Sequence, residues 1–240
     1  MSGPRRIAYG EHRSQFVEWT PVREARGVVV VIHGGFWRAA YDLALGRPLA
    51  EDLAARGWSV LNVEYRRVGD GGGMPQTFDD VAAAIDLLAG IDGVAGLPVV
   101  ALGHSAGGHL AAWAAARGAH GWPQRVALTA VVAQAGVLDL RAAERDRLST
   151  DAVGALLGDR PIDALVDPTQ QLPLSIPVWC LHARDDVDVP FAQSQQYVTR
   201  AQAAGARAEL VEVKGGHFDL IAPGTQAWAA VLDAVTAARG

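Results

Sequence analysis

A serine stands between glycines in the run Gly103-His104-Ser105-Ala106-Gly107-Gly108. An apolar, β-type stretch, Val99 to Leu102, leads into it, and a small-residue helical stretch follows. The G-x-S-x-G pattern at a strand-to-helix turn is the sequence of a nucleophile elbow. Glycines two before and two after are needed because a Cβ there would collide with the adjoining strand and helix. The turn lifts the Ser105 hydroxyl out of the sheet and leaves the N–H of Ala106 free to face a substrate oxygen. The start of the helix adds the positive end of its dipole where negative charge develops.

A nucleophilic serine needs a base, an acid that orients the base, and a second oxyanion donor. In an open α/β sheet such groups gather where strands end. After Val28 to Ile32 comes His33-Gly34-Gly35-Phe36-Trp37. The N–H groups of Gly35 and Phe36 are the candidates to join Ala106 in an oxyanion hole, with Gly34 shaping the turn. After Leu181 comes a loop with three aspartates, Asp185, Asp186 and Asp188. Asp186 is assigned as the acid and Asp185 as its alternative; Asp188 reads as a solvated loop or helix-start carboxylate. After Val213 comes Lys214-Gly215-Gly216-His217-Phe218, and His217 on this glycine-rich loop is the candidate base. The chain order Ser105, Asp186, His217 is the order expected for such a site on this kind of sheet. Trp37, Tyr65 and His104, with Phe36, are candidates for the wall of a substrate pocket. Packing beneath the loops is the competing role for the aromatics, and holding a loop by hydrogen bonds is that of His104. His33 is expected to hold a loop in the same way, His109 to support the site from within the elbow helix, and His182 to orient the acid loop. His12 and His120 have no such context.

These residues need a scaffold of strands alternating with helices. Residues 14–20 read as an early edge strand, followed by strands at 28–32, 58–65, 98–102, 126–133, 177–182 and 207–213. Helical periodicity covers 45–56, a helix from Thr77 or Asp79 to about Leu88, 190–204 and 225–238. Residues 138–176 are charged, proline-interrupted and patchily helical, and are expected to form a small lid. The expected fold is a mostly parallel, doubly wound α/β sheet with helices on both faces, in a single domain over 1–240.

With 240 residues, half of them hydrophobic, the chain is long enough for a large core, and no shift in composition marks a second domain. The net charge of -5 and the scattered arginines, clustered only at Arg141, Arg145 and Arg147 among Glu144 and Asp146, leave no basic stripe for nucleic acid. No apolar run reaches membrane-spanning length, and Met1 to Gly10 has no apolar leader core. The one cysteine, Cys180, lies in an apolar run and reads as a buried structural thiol, so a cytoplasmic location is expected. No spacing of His, Cys and Asp resembles a metal site, and the H-E-x-x-H, phosphate-loop and dinucleotide patterns are absent, so neither metal nor cofactor is expected. The expected partner is a small molecule, and a homo-oligomer stays open.

Taken in order, the His33–Trp37 motif, Gly103–Gly108, Asp186-Val187-Asp188-Val189-Pro190 and Gly216-His217 resemble the α/β-hydrolase superfamily over nearly the whole chain. Its D-x-x-V-P pattern falls on Asp186. H-G-G-x-W with G-H-S-A-G looks like the arylformamidase and feruloyl-esterase-like branch. Hormone-sensitive-lipase-like esterases are similar, but Phe36 and His104 depart from their H-G-G-G and G-D-S-A-G. They also carry a substantial N-terminal cap, for which too little chain precedes the first buried strand. The resemblance implies a serine hydrolase of small or aromatic carboxylic esters. The alternative is an arylformamidase cleaving N-formylkynurenine-type formamides, and the contrasting possibility is a catalytically silent ligand binder.

Overall fold

In a computed structural model, which describes residues 3–239, the run Val28–Ile32 forms a strand buried at every position. Five consecutive β-branched residues can be buried only if both faces of the sheet are covered. Val28, Val30 and Ile32 enter one core with Phe78, Val81, Leu110 and Trp113. Val29 and Val31 enter a second core with Leu49, Leu53, Trp228 and Val231. The period-two alternation of strand side chains thus divides one apolar run between two layers.

The eight strands are β1 (Arg5–Ala8), β2 (Phe16–Thr20), β3 (Val28–Ile32), β4 (Ser59–Val63), β5 (Val99–His104), β6 (Ala130–Gln134), β7 (Val178–Ala183) and β8 (Ala208–Val213). They lie in the order β1-β2-β4-β3-β5-β6-β7-β8. β1 and β2 are antiparallel to their neighbours, and β4 through β8 are mutually parallel. The helices are α1 (Arg47–Ala55), α2 (Gln76–Asp86), α3 (Ala106–Ala116), α4 (Leu140–Arg145), α5 (Ala152–Leu157), α6 (Ala192–Ala203) and α7 (Gln226–Ala237). α1 and α7 cover one face, and Trp228 Nε1 joins them by donating to Asp52 Oδ2 at 2.7 Å. α2, α3 and α6 cover the other. This is the α/β-hydrolase fold. No helix among the described residues is long and apolar enough to cross a membrane.

Several elements differ from expectation. β2 is not an edge strand, because β1 pairs outside it, Arg5 opposite Trp19 and Ala8 opposite Phe16. The sixth strand begins at Ala130 rather than Val126. There the buried Arg117 guanidinium donates to Val126 O, and Asp86 accepts the Arg125 and Val126 N–H groups, holding that stretch as a loop. Neither Thr77 nor Asp79 caps α2. The Thr77 hydroxyl accepts from Gly73 N and donates to Arg66 O, tying down the glycine-rich loop instead. Residues 138–176 hold α4, α5 and a short 3-10 turn, Pro168–Gln171, and Leu140, Val153, Leu156 and Val166 pack into the α2/α3 core.

Candidate active site

Ser105 separates β5 from α3 with φ 55° and ψ −118°. For a residue with a Cβ this is a strained backbone, of a kind that costs about 1–3 kcal/mol and persists only where neighbours enforce it. Three segments do so. Ser105 N donates to Gln134 O of β6 at 2.8 Å, and Ser105 O accepts from Gly108 N of α3 at 2.9 Å and Val137 N at 3.2 Å. A Cβ on Gly103 would overlap the Gly107 carbonyl, and one on Gly107 would overlap the carbonyls of Ile32 and His33. The elbow therefore packs backbone against backbone, as the glycine spacing requires.

The Ile32 end of β3 leads to the second loop. Gly35 has φ 108°, Phe36 51° and Trp37 57°, so three successive residues turn left-handed. The Cβ position of Gly34 lies 2.9 Å from His104 O and 3.0 Å from Ser105 Cβ, which sets this loop against Ser105. His33 Nδ1 donates to Gly34 O at 2.8 Å. The C=O and N–H of a trans peptide point in opposite directions, so fixing the Gly34 carbonyl fixes the Gly35 N–H on the other side. His33 is braced in turn: Tyr65 Oη donates to its carbonyl at 2.9 Å, and Nε2 lies 3.3 Å from Glu64 Oε1, which Arg67 neutralises at 2.7 Å. Among the described residues, the N–H groups of Gly35, Phe36 and Ala106 donate to no backbone or side-chain acceptor.

β7 and β8 deliver the other two groups. His217 Nδ1 donates to Asp186 Oδ2 at 2.7 Å, so of the three loop aspartates it is Asp186 that meets the imidazole. The second oxygen, Oδ1, accepts the N–H groups of Asp188 at 2.9 Å and Val189 at 2.8 Å. His182 Nε2 donates to Val189 O at 2.9 Å and approaches Asp186 Oδ2 to 3.3 Å, while Nδ1 accepts from Ser194 Oγ at 2.8 Å. Burial pushes the Asp186 carboxyl upward, but hydrogen bonds from His182, His217 and Val189 prevail and hold it well below the usual carboxylate range. Asp185 is exposed. A carboxylate oxygen of Asp188 lies within 4.8 Å of an Asp186 oxygen and a His217 nitrogen, so Asp188 is half-buried beside the pair rather than a freely solvated loop carboxylate.

His104, the neighbour of Ser105 in the chain, connects it to the His217 loop. Its Nε2 donates to His217 O at 3.0 Å, and its ring lies 4.4 Å from that of His217. Burial, with the neighbouring His217 charge, pushes the His104 imidazole down to about 3, so it stays neutral. His104 is thus a buried prop rather than a pocket wall, which corrects the pocket expectation. Trp37 and Tyr65 are corrected likewise, since both are fully buried. The left-handed turn at Trp37 drives its indole inward, edge-on to His109 at 5.1 Å, while Tyr65 stacks on His33 at 4.5 Å. The aromatic surface at the rim comes from Tyr41, against Gly35, and from Phe218, beside His217. Neither is among the expected pocket residues; the signal for Phe218 is an apolar residue on a glycine-rich loop directly after the base.

A family model described as BD-FAE matches residues 20–200, more than half of the chain. Esterase LipC of Mycobacterium tuberculosis is 29% identical over 247 residues, which cover 90% of this chain and 60% of that protein, so the chain spans less than two thirds of its length. Among solved structures, Est2, a thermophilic esterase of Thermogutta terrifontis, superposes with a TM-score of 0.78 at 23% identity, over 98% of this chain and 91% of that one. Esterase B of Lactobacillus rhamnosis, with a tributyrin phosphonate, gives 0.82 at 20% identity over 97% and 83%. A truncated carbohydrate esterase from gut microbiota gives 0.78 at 20% over 99% of both chains. The structural likenesses are of fold, and the family match adds lineage: the chain carries the α/β-hydrolase fold and belongs to the BD-FAE family.

Proposed function

We propose that the protein hydrolyses carboxylic esters of small or aromatic substrates, with Ser105 as nucleophile, His217 as base and Asp186 as the acid that orients it. The observation that carries this reading is the 2.7 Å bond from His217 Nδ1 to Asp186, on a loop that His104, the residue before the strained Ser105, holds at 3.0 Å through the His217 carbonyl. With Nδ1 committed, Nε2 is the nitrogen that takes the Ser105 proton as Oγ bonds to the substrate carbonyl carbon. The carbonyl oxygen becomes an oxyanion facing the N–H groups of Gly35, Phe36 and Ala106, with Gly34 setting the turn. His217 returns the proton to the leaving alcohol as its C–O bond breaks, leaving an acyl-serine. Water then attacks the acyl carbon and gives its proton to His217, which passes it to Ser105 as the acid departs. In this reading residues 1–240 form one catalytic domain with 138–176 as a small lid, and the partner is a small cytoplasmic ester.

Ser105→Ala is expected to lower kcat by at least about 10⁴-fold with an unchanged melting temperature, and a fluorophosphonate should label the native protein at Ser105 alone. Normal turnover in the variant overturns the mechanism, and an inert Ser105 favours a silent binder. The same machinery serves an arylformamidase, a reading that the His33-Gly34-Gly35-Phe36-Trp37 motif favours. A kcat/KM for N-formylkynurenine above that for a short-chain p-nitrophenyl ester, and above about 10⁴ M⁻¹s⁻¹, would establish the formamidase instead.

A further inference from the structure

Among the described residues, Tyr41, Leu165, Val187 and Phe218 are the large apolar side chains left in water. Phe218 is distinctive because it is both exposed, at 54%, and rigidly mounted. Its carbonyl accepts from Ile221 N at 3.1 Å as it caps the 3-10 turn Asp219–Ile221. Asp219 anchors that turn, accepting from Gly216 N at 2.6 Å through Oδ2 and from Thr225 Oγ1 at 2.7 Å through its carbonyl. The ring stands edge-on to His217 at 5.2 Å and 5.9 Å from His104. More than half of the residue remains facing solvent beside His217. An aromatic ring held in place next to a reacting group offers a flat apolar face on which part of a ligand can pack.

Which part of the substrate meets it follows from the proton. His217 must deliver its proton to the oxygen of the departing alcohol, so that alcohol lies against His217. The oxyanion donors are elsewhere, Gly35 and Phe36 on the loop after β3 and Ala106 at the start of α3. We propose that Phe218 is a specificity-determining residue that receives the alcohol part of the ester, and that the site takes esters of flat, apolar alcohols such as phenols and benzyl alcohols. This rests on the ester-hydrolase reading above and adds to it which half of the substrate is selected.

The test is a series of acetates with one acyl group, methyl, phenyl and benzyl, on the native protein, Phe218→Ala and Phe218→Leu. Removing the ring is expected to lower the benzyl-to-methyl and phenyl-to-methyl ratios of kcat/KM about tenfold, with leucine between alanine and the native residue. Hydrolysis of the acetyl-enzyme, from which the alcohol has already left, should proceed at the native rate in both variants. An equal fall for all three acetates, or slowed acetyl-enzyme hydrolysis, overturns the proposal and makes Phe218 a brace for His217. Unchanged ratios overturn it as well. Failure of the underlying reading looks different: the native protein would turn over none of the acetates and Ser105 would resist fluorophosphonate, sinking both.

Discussion

Replacing His182 tests how the proposed triad is held from behind. The Asp186 carboxylate sits between two imidazoles, His217 at 2.7 Å and His182 at 3.3 Å, both on Oδ2. A hydrogen bond to a charged group contributes about 1.5–3 kcal/mol; the longer one, shared with Val189 O, belongs at the low end. Losing it in His182→Leu concentrates the carboxylate's charge on His217, and the imidazolium becomes harder to deprotonate. Only the part of that energy that differs between neutral and charged His217 moves the titration, so at about 1.4 kcal/mol per pH unit the acid limb of kcat/KM should move up by at most about one unit. Below that limb the rate falls by up to about tenfold; on the plateau, only the new freedom of the Asp186 carboxylate to rotate lowers it. His182→Gln offers an amide N–H in place of Nε2 and should return the limb most of the way. The assay is kcat/KM for p-nitrophenyl acetate from pH 5 to 9, with a thermal melt to count folded protein. A uniform loss at every pH, the same for leucine and glutamine, would refute the reasoning and leave His182 as packing.

Two further outcomes concern stability. Burial holds the His104 and His109 imidazoles down, to about 3 and about 4. Both are neutral when folded and take up protons near 6.5 when unfolded, so their contribution is complete above 6.5 and is lost as pH falls through the folded values. Urea midpoints at pH 7, 5.5 and 4.5 should give a slope approaching about 2.7 kcal/mol per pH unit, halved in His109→Gln; a flat profile over that range refutes it. Below pH 4 the depressed Asp186 adds to the fall, because its stabilisation is present above the unfolded carboxylate range and is lost on acidification. Arg117→Met strands the buried Asp86 carboxylate, which Arg117 meets at 2.8 Å, and should cost about 3–5 kcal/mol and lower Tm by about 10 °C. Calorimetry checks this, and kcat per folded molecule should not change.

The parts legible in the sequence are those whose demands are local. Glycines at 103 and 107 are required by backbone contacts within the motif itself, and the continuous run at β3 implies two covered faces whatever packs there. β1 was not legible: Arg5-Arg6-Ile7-Ala8 has no alternation, with only Ile7 partly buried, and it is a strand because β2 offers it an edge. The start of β6 depends on Arg117, beyond the window of any strand pattern. The pocket aromatics failed for a related reason. Composition places Trp37 and Tyr65 near the site, but which way a loop side chain turns depends on the left-handed backbone at Trp37 and on His33 and His109 waiting beneath.

The glycine contacts beneath Ser105 also bear on how such an enzyme changes over generations. Gly107 rests on the carbonyls of Ile32 and His33, and Gly108 on Gly136, so the elbow and the loop after β3 are registered to each other mainly through main chain, with the His33 side chain as the brace of the loop. Apart from His33 and the groups that hold it, side-chain substitutions have little purchase on that register. Inherited variation that keeps the reaction is therefore channelled outward, to positions such as Tyr41, Val187 and Phe218. A lineage built on this centre can drift from one substrate to another while its chemistry stands still.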